Sequence, residues 1–253
     1  MNAAALDFSI LLPALLAGML VLVTHVPLGR AVLARGIVFI DLAIAQIAGF
    51  GVVAADALGF AAQGWAMQGA ALGAAVLGAL LLTWSEKRWP EIQEALIGVL
   101  FVLAASASLL LLANNPHGGE HLKDLLVGQI LWVSNAQLLG AAIVTALLAF
   151  VWLASRSRLG RTGFYLLFAC AITLSVQLVG VYLVFASLII PALAGRSLPA
   201  PRGLTLAYLV GVAGYILGLG ASALFDLPSG AVIVWTIALA ALVGGALVTH
   251  PRT

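Results

Sequence analysis

Apolar runs long enough to cross about 30 Å of hydrocarbon recur from one end of this chain to the other. No stretch between them is long enough to build a water-soluble core. We read spans at 8–28, 37–59, 65–84, 92–113 and 136–154, a long apolar stretch at 164–194, and spans at 204–224 and 230–249. Composition closes off the alternative: of the 253 residues, 64% are hydrophobic and 8% are charged. Soluble domains carry about 25% charged residues. Chains that cross lipid must satisfy their backbone internally, and runs of this length do so as helices. The expectation is an all-α, polytopic membrane helix bundle, residues 1–253 forming one domain of about eight spans including a broken-helix pair.

The broken pair is expected in the 164–194 stretch, too long for one span and short for two, where the Val179-Gly180 step and Pro191 interrupt the pattern. Segment 114–135 reads as a polar outer loop, NNPHGGEHLKD, followed by a short interfacial or re-entrant helix with Trp132 at headgroup depth. The small-residue pairs Gly69 with Gly73 and Gly214 with Gly218 are spaced to permit close helix approach, or arise by chance in a glycine-rich chain. The single cysteine, Cys170, lies within an apolar run and has no partner for an intramolecular disulfide.

Charge placement gives an orientation. The first residues, MNAAALDF, lack a basic leader, which predicts a retained first span with its N-terminus outside and the C-terminus inside. Arg30, Arg35, Lys87, Arg88, Arg156, Arg158, Arg161, Arg196, Arg202 and Arg252 then fall on the cytoplasmic side, and only Lys123 falls outside. Ten of eleven basic residues thus obey the positive-inside rule. The arginines are scattered between spans and form no basic face, so nucleic-acid binding is not expected.

Few polar residues enter the spans, and those that do carry the functional reading. The sequence has no G-x-x-x-x-G-K-[ST] loop and no H-E-x-x-H pair, so an ATP-driven function would need an ATPase on another chain. Asp41 stands about one turn into the second span and Gln46 near its middle, about 140° apart around the helix. Either they line a polar pathway, or Asp41 pairs with Arg30 or Arg35 and Gln46 bonds a neighbouring helix. Gln177 is a further pathway candidate in the broken region. On the outer side His117, Glu120, His121 and Asp124 lie within eight residues, a set of imidazoles and carboxylates suited to zinc or manganese. The same loop also reads as a plain hydrophilic connection. Asp41, His117 and His121 are the candidate metal contacts; His25 and His250 are expected at the interfaces.

Four stretches together resemble the permease subunits of ATP-binding-cassette importers for zinc, manganese and related metals. They are Pro27-Leu28-Gly29 with the run from Gly36 to Gly51, then Glu94 to Gly98, Val179 to Ala192 containing Ile-Ile-Pro, and Asp226-Leu-Pro-Ser-Gly230. The resemblance runs from about residue 10 to residue 248. It implies a permease paired with a second copy of itself, two cytoplasmic ATPase subunits that bind the ATP, and an extracytoplasmic metal-binding protein. It implies a bacterial cytoplasmic membrane and a transported divalent metal as cargo, with no cofactor resident in the chain.

Two departures qualify the resemblance. The family's second span carries Asp and His four residues apart; aligned without gaps these positions are Leu42 and Gln46, with Asp41 displaced by one. An amide in place of imidazole makes a harder, weaker metal site, so a metal chelate or another small solute is an alternative cargo. The ATPase-docking segment at 155–163, containing Arg156, Arg158, Gly160 and Arg161, is shorter than in relatives. Those arginines dock an ATPase or anchor on lipid phosphate, and the shortening leaves open a carrier or regulatory membrane protein that uses no ATPase.

Overall fold

The computed structural model describes residues 8–60, 65–112, 126–155 and 158–249, with side chains through Ala246. Nine α-helices are described: α1 (Phe8–Arg35), α2 (Ile40–Ala57), α3 (Trp65–Arg88), α4 (Gln93–Leu112), α5 (Asn135–Ser155), α6 (Arg161–Val179), α7 (Val181–Ala194), α8 (Ala200–Phe225) and α9 (Ser229–Thr249). Short 3-10 turns lie at Pro90–Ile92 and Ile130–Trp132, and the described residues include no strand. Eight of the helical segments are long and apolar enough to cross a membrane, and α7 is the shorter ninth. The protein is a multi-pass membrane protein.

The bundle is built from two groups of packed helices. In one, α2 packs on α3 and α4, and α3 on α6; in the other, α1 packs on α7, α5 and α8, and α9 on α8 and α7. Contacts of α1 and α2 with α6 and α7 join the groups. The central span α6 is the most enclosed, whereas α5 and α9 are the least and show most of their length to whatever surrounds the chain.

The break in the 164–194 stretch falls at Gly180, which ends α6 and starts α7 with φ 81° and ψ 164°. Only glycine adopts that conformation readily. Gly128, also at positive φ, lies against Val179 and Gly180, and a Cβ on either glycine would run into the other's backbone. The carbonyl of Val127 also faces Gly230 at the start of α9. Pro191, expected as a second interruption, sits inside α7 without ending it. Its missing N–H leaves the Ser187 carbonyl without an intrahelical donor, and the helix still runs on to Ala194.

Several sequence readings are corrected. The first span runs on past Pro27 to Arg35, because Leu28, Gly29 and Val32 are still packed beyond the proline, Gly29 directly on the Leu188 carbonyl. It stops at Gly36, at φ 70°. The third span extends to Arg88, since Ser85 remains buried and donates to the Gln93 amide oxygen at 2.9 Å. Of the helix expected before residue 136, the described residues hold helical residues 126–127 and, after Gly128, the Ile130–Trp132 turn; Ile130 is buried as its anchor and Trp132 points outward. Of the small-residue pairs, Gly214 and Gly218 admit Ile237 and Ile233 of α9, but Gly69 and Gly73 face open space. The close approach to α3 occurs instead where Gly51 of α2 meets the Ala70 carbonyl and Gly78 meets Ile47.

The described basic residues gather at one end. Arg30 donates to the Gly195 carbonyl at 3.3 Å, Arg35 lies 3.8 Å over the Phe164 ring, and Arg161 pairs with Glu86 at 3.7 Å. Lys87 and Arg88 close α3 beside Trp84 and Trp89, whose rings meet edge to face at 5.2 Å. Basic residues flanked by partly exposed tryptophans mark a membrane–water boundary. Gly180, Gly128, Gly230 and Asp226 lie at the opposite, far end.

Candidate functional site

The most unusual group in the bundle is the Asp41 carboxylate. The chain turns sharply at Gly36 and enters α2 at Ile40, so Asp41 falls in the first turn of a helix packed on nearly every side. Its side chain is 1% exposed, and neither carboxylate oxygen makes a hydrogen bond of good geometry, with only the backbone N–H groups of Asp41 and Leu42 close by. The pairing considered from sequence does not occur. Arg30 is committed to Gly195, and Arg35 to the Ala31 carbonyl and the Phe164 ring. The positive end of the α2 dipole offers partial compensation. A second carboxylate stands nearby: Glu94 accepts from the Phe39 backbone N–H at 3.1 Å, and its other oxygen is buried without a partner. Asp41 and Glu94 are within electrostatic reach of each other. Two carboxyl groups with unpartnered oxygens, and no described protein cation between them, form a site suited to take a positive charge.

Gln46 is also buried, at 4% exposure. Its direction differs from that of Asp41, yet both are enclosed, because from Ile40 to Gln46 only Leu42 is partly exposed. The 140° between them therefore does not put either on a lipid face. Gln177 is different: it is exposed on the otherwise enclosed α6, toward the far end. Arg158, Gly160 and Arg161 are exposed at the basic end, where Arg161 begins α6. Arg156 and the loop bearing His117, Glu120, His121 and Asp124 lie outside the described residues, as does His250. Among the described residues, no three His, Cys, Asp or Glu side chains come together as a metal cage.

Sequence reasoning missed two features. His25, expected at an interface, is fully buried; its Nδ1 meets Thr24 Oγ1 at 3.1 Å and its Nε2 has no partner. It shares a helix face with Gly18, Leu22 and Gly29, which pack on α7 and α8, and that i, i+4, i+7 spacing was the available signal. The second is Gln93, a buried hydrogen-bond hub at the start of α4. Its proximity to Glu94 in a short polar step between two spans gave no hint of burial.

The ABC 3 transport family matches residues 7–162 and 155–247, which together cover nearly the whole chain. The chain belongs to that family. It is accordingly the membrane-spanning permease of an ATP-binding-cassette transporter. Solved structures agree on the fold. PsaBC from Streptococcus pneumoniae, in complex with Fab, matches at a TM-score of 0.76 with 21% identity, over 96% of this chain and 95% of that one. A structure described as an inward-facing conformation of a metal-chelate type ABC transporter matches at 0.67 with 19% identity, over 94% of the permease and 83% of its own chain. No protein of curated function matches the sequence.

In the second span of the permease, Asp41 reaches the enclosed interior of the bundle at the start of α2, while Leu42 is the one partly exposed position of that turn.

Proposed function

We propose that the permease imports a divalent metal cation, zinc or manganese, across a bacterial cytoplasmic membrane. The observation that carries this reading is Asp41, a carboxylate enclosed among helices with both oxygens unpartnered. Such a group is tolerated in a membrane chiefly where a transported charge visits it. Gln46 offers a neutral oxygen further along the same span. The basic end faces the cytoplasm, where ATPase subunits dock on Arg156, Arg158, Gly160 and Arg161. The far end takes cation from an extracytoplasmic binding protein, with His117, Glu120, His121 and Asp124 concentrating cations at the mouth. A second copy of the permease completes the pathway, Gln177 lining its outer part, and the exposed helices meet either that copy or lipid.

The direct test is reconstitution with the cognate ATPase and uptake of radioactive zinc and manganese. ATP-dependent accumulation of free cation is expected. Accumulation of only a chelated metal would establish the second reading, a chelate permease, which the amide in place of an imidazole at Gln46 favours.

Orientation has its own expected result. Cysteines placed at Gly160 and Leu227 should react with a membrane-impermeant reagent from opposite faces, Gly160 from the cytoplasm. Labelling of both from one face would overturn the topology. For selectivity, Gln46→His should raise the preference for zinc over manganese by about tenfold, since imidazole is the softer donor. Competition uptake measures it, and unchanged selectivity would make Gln46 a packing residue.

A further inference from the structure

At the basic end, four helices are tied together through two adjacent residues of α4. Gln93 is 4% exposed and uses every position of its amide that the structure can engage. Its oxygen accepts from Ser85 Oγ at 2.9 Å, and its nitrogen donates to the Leu82 carbonyl at 3.1 Å and to the Tyr165 hydroxyl at 3.3 Å. It therefore locks the end of α3 to the first turn and a half of α6. The next residue, Glu94, accepts from the Phe39 N–H and holds the start of α2, the turn that carries Asp41. On the other side, α6 begins at Arg161, paired with Glu86 of α3, and Glu86 is also within electrostatic reach of the Tyr165 hydroxyl.

The exposed segment Arg158–Gly160 immediately precedes α6. A push on that segment moves the N-terminus of α6, and the polar chain Tyr165–Gln93–Glu94–Phe39 leads from there to Asp41. The Arg161–Glu86 pair is too exposed and too long to transmit much, because surface ion pairs contribute little. The Gln93 bonds are buried, so breaking one leaves a desolvated polar group, and the arrangement resists gradual deformation.

We propose that Gln93 and Glu94 are positioning residues that relay displacement of the cytoplasmic end of α6 to the first turn of α2, coupling ATP-driven movement to the geometry around Asp41. This rests on the importer reading, with the ATPase acting at the basic end. The relay is mechanical and runs through these hydrogen bonds.

The test uses Gln93→Met, Tyr165→Phe, Glu94→Leu and Glu94→Gln in the permease with its ATPase, plus the Gln93→Met, Tyr165→Phe double variant. Two quantities are read: cations moved per ATP, and hydrogen exchange of amides 39–44 in the permease without metal or ATP. Gln93→Met, Tyr165→Phe and Glu94→Leu should each lower cations per ATP by about fivefold or more, leave cation-free ATP hydrolysis unchanged, and speed exchange at 39–44. The double variant should be no worse than the poorer single one, as expected for links of one chain. Glu94→Gln should keep exchange at 39–44 near wild type, its amide oxygen still accepting from Phe39, whereas its uptake also reports the lost charge beside Asp41. Unchanged exchange in Tyr165→Phe, which deletes one hydroxyl and keeps the packing, would overturn the relay. So would independent, multiplying losses in the double variant, or exchange at 39–44 as fast in Glu94→Gln as in Glu94→Leu. A wild-type complex that hydrolyses ATP and moves no cation overturns the importer reading instead, and the exchange measurement still decides the relay.

Discussion

Asp41→Asn should lose at least about nine-tenths of cation uptake while its melting temperature holds or rises. A carboxylate buried without partners destabilises the folded chain by on the order of 1–3 kcal/mol, and the amide removes the charge while keeping the shape. Stability and transport therefore move in opposite directions, as expected where a site is kept for function at the expense of stability. Scintillation uptake and thermal unfolding of the detergent-solubilised permease measure the two. A variant that transports normally would remove Asp41 from the pathway. One that loses uptake and also melts several degrees lower would make the residue structural, with a partner outside the single chain.

Gly180→Ala should be a severely damaging small substitution. Its backbone conformation costs a side-chain-bearing residue about 1–3 kcal/mol. The added methyl also meets the backbone of Val127 and Gly128, an overpacking cost of about 1–3 kcal/mol more. The expected outcome is a sharp fall in folded yield and a drop of many degrees in melting temperature. Gly140→Ala supplies the contrast: that glycine is helical, exposed and faces open space, and the change should be neutral or stabilising by up to about 1 kcal/mol. Similar melting curves for the two variants would refute the assignment of Gly180 as an obligatory hinge.

Much of the fold was legible in the sequence because hydrocarbon is a uniform solvent. Length and apolarity alone place a span, so α2, α4, α5, α8 and α9 lie within a few residues of their expected positions. The break at Gly180 was visible as a length misfit combined with a glycine. The candidate site was less legible. Whether Asp41 meets Arg30 depends on which carbonyl captures the guanidinium, and Gly195, far along the chain, does so. Gly69 and Gly73 have the spacing of a packing motif but no helix arrives opposite them, whereas Gly78 and Gly51, with no such pairing, are the real contact points. The burial of His25 and Gln93 follows the same logic, since a local pattern does not say which neighbour covers a face.

The meeting of Gly128, Gly180 and Gly230 has a consequence for how the molecule is made. Gly180 lies roughly fifty positions after Gly128 and Gly230 roughly fifty after that, yet the backbones of Gly128 and Gly180 meet and the neighbouring Val127 carbonyl meets Gly230 at the far end. Contacts of such long sequence separation are slow to form and are completed late in folding. The helices leave the ribosome in order, so α6 and α7 reach the membrane with their central break lacking one of its neighbours until α9 follows. Through Gly230, α9 closes over Val127, whose backbone lies against the break, so its docking completes this corner of the bundle.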